Sequence, residues 1–285
     1  MIPDTHTTEK GLTTPIQTTH VKIPYDLCHE LVHQYGLTLY EILWFEEGIN
    51  DTQIFEKIHQ ILDLTCEQAN SPTLLTPKIA LFSNAQSVIN ELNDKRKTFC
   101  PQCGNDLVVS NNLIHTLKQL SSEQRFLYLL KVKENLSYRD LETITFHHRD
   151  EINSLLTEAR ELLRSLLLDK PPMPFQINDS LCEITYQYLS LYLDNEVNAL
   201  HMLEVEKHLY ECDTCLKILA NHQHIQKQIE QLHILSKKEF LANFQLESTI
   251  RRKNLSDSLE KQRSIRISRR RRGFLSRIWR FLRGK

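Results

Sequence analysis

Leu181-Cys182-Glu183, then Tyr192-Leu193-Asp194-Asn195-Glu196, then His208-Leu209-Tyr210-Glu211-Cys212-Asp213-Thr214-Cys215 is the stretch around which this chain is organised. The His-x3-Cys-x2-Cys run places an imidazole one helical turn before a pair of thiolates. The Cys-x-x-Cys step is short enough for both sulfurs to reach one ion. A tetrahedral metal needs a fourth ligand, and Cys182 supplies it if the helical run through Tyr186, Leu189 and Leu193 doubles back beside His208. The spacing therefore predicts one Zn2+ held by Cys182, His208, Cys212 and Cys215. The bland alternative is two thiols and a histidine that merely share a helix end.

Taken in order, these elements resemble the zinc-binding anti-sigma domain, in which an upstream Cys or His, a Tyr-Leu-Asp-x-Glu turn and a His-x3-Cys-x2-Cys run recur. The resemblance covers Cys182 to Cys215. It implies a helical domain with a structural zinc and a sigma factor as its client.

Composition favours an all-helical chain: of 285 residues only six are Gly and nine Pro, while Leu, Glu, Lys, Gln and Arg dominate. No apolar run approaches the roughly 20 residues that span a bilayer. The N-terminus is polar and Thr-rich, unlike a signal peptide, so a cytoplasmic location is expected. Four of the seven cysteines sit in two Cys-x-x-Cys steps, which suits metal better than a disulfide framework; Cys28 and Cys66 read as buried core thiols. The net charge of −1 conceals +12 over residues 249–285 against −13 over the rest, an acidic body with a basic tail.

The expected organisation is two small helical bundles, a helical zinc domain and a basic amphipathic C-terminal helix. Residues 1–20, with seven Thr and little apolar content, read as disordered. Residues 21–98 form the first helical domain, 99–110 a Cys-x-x-Cys linker and 111–170 the second domain with a helix-turn-helix. A stiff linker at 171–178 carries Pro171-Pro172-Met173-Pro174. The zinc domain with its helical extension takes 179–246 and the tail 247–285.

Four helices are expected between Val21 and Lys97, the third capped by Asp51 and the last following Pro77. This stretch is similar to region 2 of the small extracytoplasmic-function sigma factors in helix order and basic exit. Its charge runs the other way, with three Lys against eleven acids from 21 to 94, so an acidic bundle that touches only protein is the competing reading. Cys100-Pro101-Gln102-Cys103-Gly104 looks like half a zinc ribbon and marks Cys100 and Cys103 as a possible second metal site. Cys66, His115 or a second copy of the chain are candidates to complete it.

From 111 to 170, Ser121 is a candidate cap for a helix through Leu130, Leu136-Ser137-Tyr138 starts a short helix, and Asp150–Leu168 a long amphipathic one. The plan resembles sigma region 4, through Leu117-to-Arg125, the Leu-Ser-Tyr start and Glu158-to-Arg164. The resemblance implies that the long helix meets promoter DNA, with Arg149, Asn153 and Arg160 as the candidate contacts. Departures are Glu142 for a small Ala, Phe146 for the turn Gly, and Asn153, Leu155 and Glu158 where cations are usual. Four Arg against six acids between Arg139 and Leu168 leave protein contact as the other reading.

In the tail, Phe274, Leu275, Ile278, Trp279, Phe281 and Leu282 project within roughly 160° of one helix face, with Arg277, Arg280 and Arg283 opposite. That pattern suits an anionic membrane surface bound through residues 269–285; nucleic-acid binding by the arginines, or a solvated tail, are the alternatives.

There is no nucleophile elbow, no phosphate-cradling loop and no open metal position, so the chain is not expected to be an enzyme. Together the resemblances imply a sigma-like factor for RNA polymerase core held in check by its own zinc anti-sigma domain. The alternative is an anti-sigma or scaffold protein at the inner membrane face, with another sigma factor as partner. A third class is a metal-responsive factor in which Cys100 and Cys103 join the sensing. Removing residues 269–285 is expected to abolish cosedimentation with anionic liposomes; retained binding would contradict the membrane assignment.

Overall fold

Helical periodicity governs every described segment. The computed structural model describes residues 25–46, 49–69, 75–96, 112–168, 180–253 and 256, and among them there are helices and no strands. The helices are α1 (Tyr25–Trp44), α2 (Asp51–Ala69), α3 (Pro77–Arg96), α4 (Asn112–Gln119), α5 (Ser122–Glu134), α6 (Tyr138–Thr145), α7 (Arg149–Leu168), α8 (Ser180–Leu193), α9 (Ala199–Glu211) and α10 (Asp213–Glu230). A further helix, α11, spans 237–253. Among the described residues no helix is long and apolar enough to cross a membrane. The expected disorder at 1–20, the Cys100/Cys103 knuckle, the linker 171–178 and the amphipathic tail helix lie outside the described residues.

Where four helices are expected before Lys97, the described residues form three, because the first two run together as α1. Gly36 does not break that helix. Leu31 and Val32 before it, and Leu39, Tyr40 and Leu43 after it, are buried on one continuous face. The missing Cβ of Gly36 has a use: one built there would stand 2.6 Å from Cζ of Phe240. A helix-interior Gly costs about 1 kcal/mol, whereas burying a Phe ring contributes about 1.5–3 kcal/mol, so the exchange favours the seated ring. Phe240 is 1% exposed and packs on Tyr40 and Phe55, while Phe244 stacks on His59 at 4.4 Å. This is how α11 is fastened to α1 and α2.

Two further expectations are corrected. Asn50, not Asp51, caps α2: its side chain accepts from the Gln53 amide at 2.9 Å, and Gln53 returns a bond to the Asn50 amide at 3.0 Å. Asp51, the first residue of α2, instead accepts from the Tyr40 hydroxyl at 3.0 Å. Cys28 and Cys66 are not free core thiols but a disulfide joining α1 to α2, with Cα atoms 6.7 Å apart. Their shared face escapes a spacing argument because 38 residues separate them.

The next segment follows its local signals. Ser121 caps α5 in a reciprocal box with Gln124, and Ser137 caps α6 in the same way with Asp140. Phe146 closes α6 in the left-handed region at φ 61°, where a glycine is the ordinary choice; its ring, 85% exposed, gains nothing from burial. The three residues 146–148 then turn the chain into α7. One continuous buried cluster runs through α1–α7 and takes in Ile225 and Ile229 of α10 and Phe240 of α11. A second, smaller cluster holds Cys182, Leu189, Val205, Leu209, Cys215, Ile218 and Leu219.

Replacing Gly36 by Leu fills the seat of the Phe240 ring without weakening α1. Amide exchange is expected to accelerate at least about tenfold through α11 while α2 and α5 keep their protection. Unchanged exchange in α11 would contradict the seating.

Candidate metal centre

The second cluster is a helical hairpin pinned at one end. Asp194 and Asn195 close α8: the amide of Asn195 donates to the Tyr192 carbonyl and that of Glu196 to the Leu191 carbonyl, with Asn195 left-handed at φ 58°. Asn198 then caps α9 by accepting from the His201 amide at 3.0 Å, and the His201 ring stacks on Tyr188 at 4.1 Å. The chain breaks between α9 and α10 at Cys212, which is extended at φ −117° and ψ 98° and donates its amide to the His208 carbonyl. That single non-helical residue sets His208, Cys212 and Cys215 around one point, and α8 returns Cys182 to it.

The four ligand atoms of Cys182, His208, Cys212 and Cys215 lie within 4.8 Å of one another. The Cys182 sulfur is 3.2 Å from His208 Nε2 and 3.7 Å from the Cys212 sulfur. Tetrahedral zinc with Zn–S near 2.3 Å sets sulfurs about 3.8 Å apart, so the donor set fits a Cys3His site in number, type and spacing. Charge points the same way. The Cys215 amide, at the start of α10, holds the Cys212 thiol below its ordinary range. Burial, followed by the neighbouring Cys182 and Cys212, pushes the Cys215 thiol up. A divalent cation resolves that conflict, because it stabilises all three sulfurs as thiolates. A bound zinc would serve as a closed structural cross-link, held by Cys182, His208, Cys212 and Cys215.

The far end of the hairpin meets the body. From Cys182 to Asp194 is roughly 18 Å along α8 at 1.5 Å per residue. There Asp194 accepts from Arg160 at 2.6 Å and from the Tyr138 hydroxyl at 3.1 Å. Glu196 accepts from the backbone amide of Tyr138 at 3.0 Å, placing a carboxylate at the N-terminus of α6, and pairs with Arg149 at 3.3 Å. Arg160 also donates to the Ser190 hydroxyl of α8. Burial, then the charge of Asp194, pushes the Tyr138 phenol up, so its hydroxyl stays a donor.

Behind this contact, α10 lies against α7. His222 is 3.1 Å and Arg164 2.8 Å from Glu161. Burial of Glu161 opposes ionisation, but the bonds from His222 and Arg164 outweigh it and hold the carboxyl down at about 2. The link to α11 is fastened as well. His233 pairs with the buried Glu41 of α1 at 3.1 Å, and Lys133 bridges Glu41 and the Leu232 carbonyl.

The structure thus brings the four predicted metal ligands together and distributes the other candidates. Arg149 is exposed, paired with Glu196 and set over the Tyr138 ring at 5.3 Å. Asn153 is half-buried on α7. Arg160 is buried at 3% exposure against Asp194. Cys100, Cys103 and residues 274–283 lie outside the described residues. The Asp194–Glu196 turn is legible in the sequence, but its destination on α6 and α7 is not. The available signal was Arg160, which falls beside the buried arc of Ile152, Leu156, Ala159 and Leu163 and so requires an acidic partner.

Fold and site together define an all-helical protein in which α8, α9 and the start of α10 gather a Cys3His cluster that could hold a metal ion. A family model described as "Putative zinc-finger" matches residues 182–216, a domain typical of anti-sigma factors. No curated protein and no solved structure matches the chain. Replacing Cys212 by Ser is expected to remove about one equivalent of zinc per chain by metal analysis and to speed amide exchange in α8 and α9. An unchanged zinc content would contradict the four-ligand site.

Proposed function

We propose that this chain is a regulator of sigma-dependent transcription in which the zinc domain, residues 182–216, restrains a sigma-like body, residues 21–170, on the same chain. The observation that carries the reading is the acidic turn. Asp194 and Glu196 engage Tyr138, Arg149 and Arg160. These are the positions where the likeness to sigma region 4 puts the start of the first motif helix and two of the three candidate DNA contacts. A guanidinium buried against a carboxylate has no access to phosphate, and an acidic turn over the same face repels a polyanion. Tethering supplies the remainder: α7 ends at Leu168 and α8 begins at Ser180, so docking of the zinc domain on α7 is an intramolecular event.

The chain acts by binding and not by catalysis, since four protein ligands leave zinc no open position. RNA polymerase core is the partner of the released body, with promoter DNA reached through Arg149, Asn153 and Arg160. A second reading, that the body meets another sigma factor or polymerase but never DNA, is favoured by the six acids against four arginines from Arg139 to Leu168.

The doubly substituted chain Asp194→Ala, Glu196→Ala separates these. On the first reading it binds polymerase core at least about tenfold more tightly than the wild type and directs promoter-specific initiation. Tighter core binding without initiation supports the second reading. Core binding unchanged from the wild type contradicts intramolecular restraint.

A further inference from the structure

Between α7, α8 and α10 lies a cavity of about 10 Å³, lined by Thr157, Arg160, Tyr186, Leu189, Ser190 and His222. Three buried polar atoms on that lining have no hydrogen-bond partner: Thr157 Oγ1, Arg160 Nε and His222 Nδ1. Leaving buried donors and acceptors unmet is costly, and three on residues that line one small space call for a common partner.

Their chemistry specifies it. His222 Nε2 is 3.1 Å from Glu161 Oε1, and an ionised carboxylate only accepts, so Nε2 carries the proton and Nδ1 is an acceptor. Arg160 Nε–H is a donor with no accepting capacity, and the Thr157 hydroxyl does either. One molecule that accepts from Arg160 and donates to both His222 and Thr157 satisfies all three. Water does this with about three bonds, the usual number for a buried water, and it needs a space of about 10–15 Å³. The Arg160 charge disfavours a cation, and the volume is too small for an oxyanion.

We infer that one water is built into this seam, and that it makes the seating of the zinc domain on α7 sensitive to protonation of His222. A proton on Nδ1 turns the acceptor into a donor, so the water loses a partner while a positive charge appears in a buried site. The groups facing that charge are Arg160, Glu161 and Arg164 from α7, with Tyr186 from α8 beside Glu161. Asp194 of the turn is committed to Arg160, and Tyr128 of α5 lies under the same guanidinium. Two of the facing groups are cations, and the one carboxylate is shared with Arg164. Burial, together with Arg160 and Arg164, keeps the imidazole below its ordinary range despite Glu161. A histidine held neutral when docked favours docking at high pH. That contribution declines as pH falls below the ordinary value of 6.5, because the undocked imidazole takes the proton more readily. The inference depends on the docking geometry and not on which partner the chain regulates.

The test is amide exchange of the zinc-loaded full chain, corrected for intrinsic rates, from about pH 7.5 to about pH 5.5, with zinc content measured in every sample. In the wild type, protection of α8 and α10 is expected to fall by up to about tenfold per pH unit below about 6.5 with zinc still bound. His222→Gln keeps a donor toward Glu161 and does not titrate, so its protection stays level over the same range. Thr157→Val, close in volume, is expected to lower protection about tenfold at neutral pH by removing one partner of the water. A crystal structure at neutral pH is expected to place a single water within hydrogen-bond distance of Arg160 Nε, Thr157 Oγ1 and His222 Nδ1. The same acid response in His222→Gln as in the wild type, unchanged protection in Thr157→Val, or a cavity without water in the crystal would overturn the inference.

Discussion

Arg160 and Asp194 meet at 2.6 Å with side chains 3% and 1% exposed, and the way the two hydrophobic clusters sit on one another depends on that pair. Removing two charges from water costs several kcal/mol per ion, so the pair adds little net stability compared with well-packed apolar residues. What it supplies is direction. An unpaired charge at this depth is so unfavourable that the hairpin has one acceptable seat, where Asp194 finds both Arg160 and the Tyr138 hydroxyl. Apolar burial brings Ile225 and Ile229 of α10 into the main cluster, but apolar contact alone would tolerate sliding.

The metal centre and the acidic turn are the two ends of one lever. Cys182 and His208 meet at one end of the α8–α9 hairpin, and Asp194 and Glu196 form its tip. Because a helix transmits position along its axis, a metal bound at one end would fix the aim of the carboxylates at the other. Oxidation of Cys212 or Cys215, which removes a ligand, would therefore act on the tip without touching it. The second fastening, α11 on α1 and α2, is of a different kind. It is an aromatic seat over Gly36, with the connecting residues tied to Glu41 through His233 and Lys133. Together the two attachments place one contact on the α6–α7 pair and the other on α1 and α2.

Legibility in the sequence followed the range of the interactions. The grouping of His208, Cys212 and Cys215, the Ser121 cap and the helical character were readable because each rests on spacings of a few residues or on composition, and Cys182 joined that group through the expectation that its helix doubles back. The Cys28–Cys66 disulfide, the Phe240 seat and the Asp194–Arg160 pair join residues far apart in the chain, and no local pattern announces them. The continuity of α1 across Gly36 belongs with these, since the reason for the glycine is a ring that arrives some two hundred positions later. Phe146 is the reverse case: the sequence marks it as misplaced in a turn, and the backbone accepts it at positive φ.

The central claim is that the zinc hairpin is docked on its own chain through the acidic turn. A double-mutant cycle on Asp194 and Arg160, read from the free energy of unfolding of the zinc-loaded full chain, tests it most directly. Desolvated, hydrogen-bonded charge pairs couple by about 1.5–7 kcal/mol, and the cycle is expected to return a value in that range. Additive effects, with a coupling energy within about 0.5 kcal/mol of zero, would contradict the docking.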